Sequence, residues 1–202
     1  KDFAILYRTN AQSRAMEEAL RKMNIHYRIY GGLSFYKRKE IKDLLAYFRL
    51  TINPHDEEAL KRIINVPARG IGKTTIEKMV ITSAGEDKSL WQIIADPTQN
   101  PCGFNSGTLA RIQDFVTMMK SFSVRMKTEN AFELASGIST STGLLRELYS
   151  DKTPEGLSRY ENVQELLNGI REFVDTGRSI TPKSDEEINQ DPDALRSLDQ
   201  FM

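Results

Sequence analysis

The chain is poor in the residues that build disulfide frameworks and metal sites. It has one cysteine, Cys102, and two histidines, His26 and His55, among 202 residues. A single cysteine excludes an intramolecular disulfide, and two histidines so far apart in sequence lack the spacing of a metal site. We therefore expect no structural metal, and the scarcity of cysteine fits a reducing compartment, the cytoplasm.

Long hydrophobic runs are missing as well. No apolar stretch approaches the roughly 20 residues that a membrane-spanning helix requires. The first residues also lack the order of charged, apolar and small residues that is typical of a signal peptide. We therefore expect no membrane partner.

The formal net charge is zero, but the charge is unevenly distributed along the chain. Residues 1–80 hold 16 Lys and Arg against 9 Asp and Glu, whereas residues 81–202 hold 12 against 19. Such segregation is expected where only the first part of a protein meets phosphate groups. Two solvated surfaces of different charge are the alternative interpretation.

Residues 1–50 carry the pattern of a strand, a helix and a second strand, followed by another helix. The runs 3–7 and 26–30 are typical of strands, and an amphipathic helix is predicted over 38–50. Between the two runs, apolar residues recur at helical spacing: Ala15, Met16, Ala19, Leu20 and Met23. Because two strands do not form a stable parallel sheet alone, we expect the rest of that sheet to lie outside these residues.

Beyond residue 53 the pattern becomes helical. Apolar residues recur at helical spacing in several stretches, which include Leu60, Ile63, Ile64, Ile112, Val116, Val163 and Leu166. From 176 to 194 the sequence is polar and acidic, as in a mobile linker. The predicted fold class is α+β and mostly α-helical. It comprises a partial βαβ unit over 1–53, an all-helical domain over 54–178, a flexible acidic linker over 179–194 and the start of a further segment over 195–202.

Gly72, Lys73 and Thr74 match the end of the nucleotide-binding phosphate loop, which has the form GxxxxGK[ST]. The first glycine of that motif would fall on Pro67, and residues 63–66 follow a helical pattern where the phosphate loop needs a strand. Nucleotide hydrolysis by this stretch is therefore not expected.

The same stretch fits two helices joined by a glycine hairpin, a shape similar to the helix-hairpin-helix. Glycines adopt backbone angles closed to other residues and leave neighbouring amides open to a phosphate, and a helix N-terminus favours an anion. The candidate binding residues are Arg69, Gly70, Ile71, Gly72, Lys73, Thr74 and Thr75. A tight turn whose glycines serve geometry alone is the alternative.

A second polar cluster follows the first predicted strand. Ligands of open α/β sheets bind outside the carboxyl ends of strands, and polar side chains there supply hydrogen-bond donors to phosphates or bases. The candidate residues are Arg8, Thr9, Asn10, Gln12, Ser13 and Arg14. A helix cap with solvated charges is the alternative.

Four sequence blocks carry a resemblance to a known family. They cover residues 4–14, 30–36, 38–47 and 64–72, and a weaker block covers 159–167. In order and spacing these blocks resemble the UvrD/Rep/PcrA group of superfamily 1 DNA helicases. The resemblance is strongest over residues 1–80.

The resemblance implies a role for each part. Residues 1–53 would be the entering portion of a truncated parallel α/β motor subdomain, called 2A, whose polar cluster at 8–14 binds single-stranded DNA. The family motif that follows would comprise Gly31, Gly32, Phe35, Arg38, Glu40 and Asp43. Residues 54–178 would form the accessory subdomain 2B, with the hairpin at 69–75 on duplex DNA, and 195–202 would begin the return to 2A.

The family moves 3′ to 5′ on single-stranded DNA and unwinds duplex in repair and replication, using ATP and Mg²⁺. Its ATPase motifs have no counterpart here, so we expect this chain alone to hold no cofactor, carry no catalytic residue and hydrolyse no ATP. The expected partners are single-stranded DNA, duplex junctions and repair proteins, and the chain is expected to be monomeric. The alternatives are an autonomous helix-hairpin-helix DNA-binding module and a protein interaction domain that uses the acidic helices after residue 81.

Overall fold

The computed structural model describes residues 3–30, 32–96, 99–176 and 196–202. These ranges contain two 3₁₀ turns, Asn10–Gln12 and Phe35–Lys37. Their α-helices are α1 (Ser13–Lys22), α2 (Lys39–Ile52), α3 (Glu57–Ile63), α4 (Lys73–Glu86), α5 (Leu90–Ala95), α6 (Ser106–Arg125), α7 (Ala131–Ser141), α8 (Leu144–Ser150), α9 (Pro154–Thr176) and α10 (Leu198–Phe201).

Side-chain caps fix where several of these helices begin. Asp56 accepts a hydrogen bond from the third amide of α3, and Asn105 does the same for α6. Asn130 and Glu133 form a reciprocal capping box at the start of α7. Because the first amides of a helix have no partner within it, each cap stabilises its helix by about 1 kcal/mol.

Helix α2 lies at the centre of the fold. It packs against α3, α6, α7 and α9, and its Ile41, Leu44, Tyr47 and Phe48 have no exposed surface. Helix α9, 23 residues long, also packs against α7 and α8, and α10 lies on α7. The apolar core is therefore shared by helices that are distant in sequence.

The helical part of the prediction is confirmed, but the strands of the expected βαβ unit are not observed. The helix predicted from the apolar spacing of residues 15–23 and the helix predicted over 38–50 are present as α1 and α2, whereas no strand forms in the ranges given above. Phe3 and Leu6 are 91% and 94% exposed. A parallel strand pair is stable only when further strands and helices cover it, and no described segment covers these residues.

Helix α1 contacts the rest of the fold through its polar side. Its buried residues are Ser13, Arg14 and Glu17, whereas Met16 and Met23 on its apolar stripe are exposed. The stripe that predicted a core-facing helix therefore faces outward. Its direction follows from the contacts on the other side of the helix, where Ser13, Arg14 and Glu17 are buried.

The predicted linker and the possibility of a membrane-spanning helix remain to be considered. The predicted linker at 179–194 lies outside the described residues, as does Gly31. Among the helices given above, none combines the length and the apolar character that a membrane crossing would need.

The first turn of α9 contains a close approach that we expect to respond to mutation. A Cβ at Gly156 would overlap the backbone carbonyl oxygen of Asp151, whereas a Cβ at Gly85 in α4 would meet open space. Gly156→Ala should lower the free energy of unfolding by about 1–3 kcal/mol. Gly85→Ala should raise it by roughly 0.5–1 kcal/mol, because alanine favours helix. Urea unfolding of both variants checks this, and stabilisation by Gly156→Ala would contradict the close approach.

Candidate nucleic-acid interface

The glycine hairpin joins the end of α3 to the start of α4. Asn65 organises it: its Oδ1 accepts hydrogen bonds from the backbone amides of Arg69, at 2.8 Å, and Ile71, at 3.1 Å. The Ile71 side chain is fully buried. Gly70 has a φ of +73°, in the left-handed region that favours glycine. One acceptor and one buried side chain thus hold the loop in a tight, defined shape.

Arg69, predicted to bind phosphate, turns inward and binds the protein itself. Its Nη2 donates to the Tyr47 hydroxyl, at 2.6 Å, and to the Thr142 carbonyl oxygen, at 3.2 Å. Its Nη1 donates to the carbonyl oxygens of Ile63, Val66 and Pro67. Since the carbonyls that end a helix have no partner within it, the arginine fills this need for α3. The guanidinium thus holds the end of α3 and the following loop together on the inner side of the hairpin.

The outer edge of the hairpin is open. Gly70, Gly72, Lys73 and Thr74 are exposed, and Thr75 is half-buried. Gly72 precedes α4, and within the described residues no side chain caps this helix. The Thr75 amide donates to the Gly72 carbonyl oxygen, whereas the amides of Lys73 and Thr74 have no partner in the helix. The Lys73 ammonium is 90% exposed and lies 3.7 Å from Glu77. The edge therefore presents backbone amides, hydroxyls and an amine, which are the groups that bind phosphate oxygens.

The N-terminal polar cluster divides into an outer and an inner part. Arg8 and Thr9 are exposed, and their backbone amides donate to the Gln12 side chain at 2.9 and 3.2 Å. Gln12 therefore stabilises the turn, and Asn10 opens the 3₁₀ turn Asn10–Gln12. The outer part borders a groove of about 450 Å³, lined by Tyr7, Arg8, Thr9, Pro154, Leu157, Ser158 and Glu161.

Ser13 and Arg14 form the inner part of that cluster. Both are buried, and the Arg14 guanidinium makes ion pairs of 2.9 Å with Glu18 in its own helix and with Glu165 in α9. These contacts join α1 to the last long helix. Among the predicted residues whose exposure the structure describes, Arg8, Thr9 and Gln12 face solvent, whereas Ser13 and Arg14 do not.

Two of the family-motif residues, Arg38 and Glu40, belong to a buried polar centre. Arg38 Nη1 donates to Asn162 Oδ1 at 2.7 Å, and Nη2 donates to the Ser13 hydroxyl at 3.0 Å. Asn162 Nδ2 in turn donates to a Glu40 carboxylate oxygen, also at 2.7 Å. We call Arg38, Asn162, Glu40 and Ser13 the polar centre. It connects α1, α2 and α9.

Two other motif residues, Phe35 and Asp43, also make buried contacts within the fold. Phe35 is fully buried and its amide donates to Glu17 Oε1 at 2.8 Å. Asp43 is paired with Arg62 at 2.8 Å, and burial raises the pKa of this aspartate although Arg62 opposes the shift. Gly32 has open space around its Cα.

Sequence reasoning missed the residues on α1 and α9 that complete these contacts, namely Glu17, Asn162 and Glu165. A signal for Asn162 was present, because it lies four residues before Leu166 and eight before Ile170. That spacing places an amide on the apolar stripe of a predicted helix, where it needs a buried partner.

The fold and the hairpin together define a mostly helical domain in which a tight glycine turn joins two helices and leaves the start of the second helix exposed. The chain belongs to the UvrD-like helicase C-terminal domain family, whose model matches residues 1–191.

Similar proteins carry helicase names. The chain is 40% identical over 172 residues to the ATP-dependent DNA helicase PcrA of Bacillus subtilis. The matched region covers 85% of this chain and 23% of the relative. It is 38% identical over 175 residues to DNA helicase II of Haemophilus influenzae, covering 86% and 24% respectively. With DNA helicase II of Escherichia coli the identity is 36% over 170 residues, covering 84% and 24%. The chain thus spans about a quarter of the length of these relatives.

The polar centre predicts a large effect of a small substitution. Asn162→Ala would leave buried Arg38 and Glu40 each without one partner, and we expect a loss of about 3 kcal/mol in the free energy of unfolding. Asn168→Ala is the matched control, because Asn168 is an exposed asparagine on the same helix. Urea unfolding measures both, and equal losses would show that the buried amide contributes nothing special.

Tyr47 predicts a loss of stability in alkali. Burial raises its pKa to about 12, although the Arg69 guanidinium opposes the shift. The unfolded tyrosine ionises near pH ~10 while the folded one stays protonated, so stability should fall by roughly 1.4 kcal/mol per pH unit between these values. Urea unfolding at pH 9–12 tests this. Tyr47→Phe should be less stable at neutral pH but show a shallower alkaline loss, and an unchanged slope would contradict the assignment.

Proposed function

We propose that this chain is the DNA-binding part of an ATP-dependent DNA helicase that translocates 3′ to 5′ and unwinds duplex in repair and replication. Family membership supports the class, and the open edge of the hairpin is the observation that supports a direct DNA contact. ATP and Mg²⁺ would belong to the whole enzyme. In this chain the work is binding and positioning of DNA.

The hairpin would bind the backbone of duplex DNA. Its exposed amides, the Thr74 hydroxyl and the Lys73 ammonium all suit phosphate oxygens, and none of them reads a base. Arg69 changes its role in this proposal. It holds the end of α3 and the loop in place, so that the amides of α4 meet the phosphate without rearrangement.

The single-strand contact would rest on the outer part of the N-terminal cluster. Arg8 and Thr9 face solvent beside the start of α9, and Gln12 fixes their backbone. Ser13 and Arg14 would act indirectly, by attaching α1 to α9. Asn10 stays a predicted contact of the same turn.

The hairpin can be tested with two substitutions at one position. Lys73→Gln removes only the ammonium, whereas Lys73→Pro also removes the first amide of α4. Proline is tolerated at the first position of a helix, and the extended backbone of Gly72, with ψ of 176°, suits a residue that precedes proline. Both variants should therefore keep the fold, which circular dichroism verifies.

Fluorescence anisotropy with a duplex that bears a 3′ single-stranded tail measures binding of the 202-residue chain across salt concentrations. We expect salt-sensitive binding, a salt slope reduced by about one in Lys73→Gln, and weaker binding still in Lys73→Pro. Equal affinities for the chain and both variants would mean that the glycines serve geometry alone. Binding that is lost only in Lys73→Pro would assign the contact to the amide and not to the charge.

A further inference from the structure

Helix α6 runs directly beside the hairpin, although it is some forty residues away in sequence. The Phe115 ring centre lies 5.5 Å from the Arg69 guanidinium. One helical turn earlier, the Arg111 guanidinium lies against Gly70, where an added Cβ would come within 3.3 Å of its Nη1. Because residues four apart share one face of a helix, this face of α6 follows the hairpin.

One turn closer to the start of α6, Thr108 lies across a cavity from the first turn of α4. A cavity of about 240 Å³ separates the first turns of the two helices. Its lining is mostly polar and consists of Thr74, Thr75, Lys78, Gly103, Phe104, Asn105 and Thr108. Thr74, on the open edge of the hairpin, and Thr108 of α6 therefore line the same cavity.

The cations of this surface have few competitors. Arg111 and Lys78 are exposed, and neither forms an ion pair with any residue that the structure describes. Of the nearby carboxylates, Glu77 faces Lys73, and Asp114 on the following turn of α6 makes no ion pair with Arg111. Exposed arginine without a protein partner is well suited to a phosphate, which it can bind through two parallel N–H groups.

We propose that Arg111, with Thr108 and Lys78 beside it, forms a second phosphate site that is continuous with the hairpin. The site would bind the same duplex backbone at a neighbouring phosphate, so that α4 and α6 hold the DNA together. This inference rests on the proposed function of the hairpin. Gly70 connects the two contacts, because a Cβ there would lie 3.3 Å from the Arg111 guanidinium and would push it outward by a few tenths of an ångström.

The test compares Arg111→Gln and Arg111→Glu with the control Lys120→Gln. Lys120 is an exposed residue of the same helix, nine positions later, which places it on the opposite face of α6. With the tailed duplex, Arg111→Gln should bind about three- to tenfold more weakly at roughly 0.1 M salt, with a salt slope reduced by about one. Arg111→Glu should bind more weakly again, and Lys120→Gln should match the unmodified chain.

The outcomes separate this site from the hairpin. If Arg111→Gln binds like the unmodified chain while Lys73→Pro is weakened, the second site is refuted and the hairpin contact stands. Equal losses in Arg111→Gln and Lys120→Gln would show a general charge effect and would also refute the site. An unmodified chain that fails to bind duplex would overturn both proposals.

Discussion

The hydrogen bonds made by Arg38 and Asn162 are the constraint on which the rest of the structure depends. They join residues 124 positions apart, and through Ser13 and Glu40 they fix α1 and α2 against α9. A buried guanidinium and a buried carboxylate are costly unless every partner is in place. The polar centre therefore admits one arrangement of these three helices, and the apolar core forms around it.

A second arginine does the same for the candidate interface. Arg69 gathers carbonyl oxygens from the end of α3, from the following loop and from the end of α7. The outer edge of the hairpin is left free because the Arg69 guanidinium binds carbonyl oxygens on its inner side. A contact built mainly from backbone amides favours phosphates over bases.

Much of the fold was predictable because helical periodicity is a local property. The α2 helix, the helices after residue 53 and the turn around Gly70 follow from spacing and glycine positions alone. The prediction of two strands was not confirmed, because a strand is stable only beside other strands, and these are not specified by the local sequence. The direction of a side chain was equally out of reach. Arg69 and Arg14 are of the residue type that commonly binds DNA phosphates. Only their carbonyl and carboxylate partners in distant elements show that both side chains turn inward. Arg111 was overlooked for the converse reason, since nothing in its own helix indicates that Gly70 lies beside it.

The attachment of α1 has a mechanical consequence. Apolar contacts weaken gradually as surfaces slide apart, whereas hydrogen bonds and short ion pairs are lost within a fraction of an ångström or a modest change of angle. Because ion pairs of Arg14 attach α1 to α9, this attachment resists a small displacement and is then lost abruptly. The N-terminal cluster is therefore held at a fixed position relative to α9 for as long as the ion pairs of Arg14 are intact.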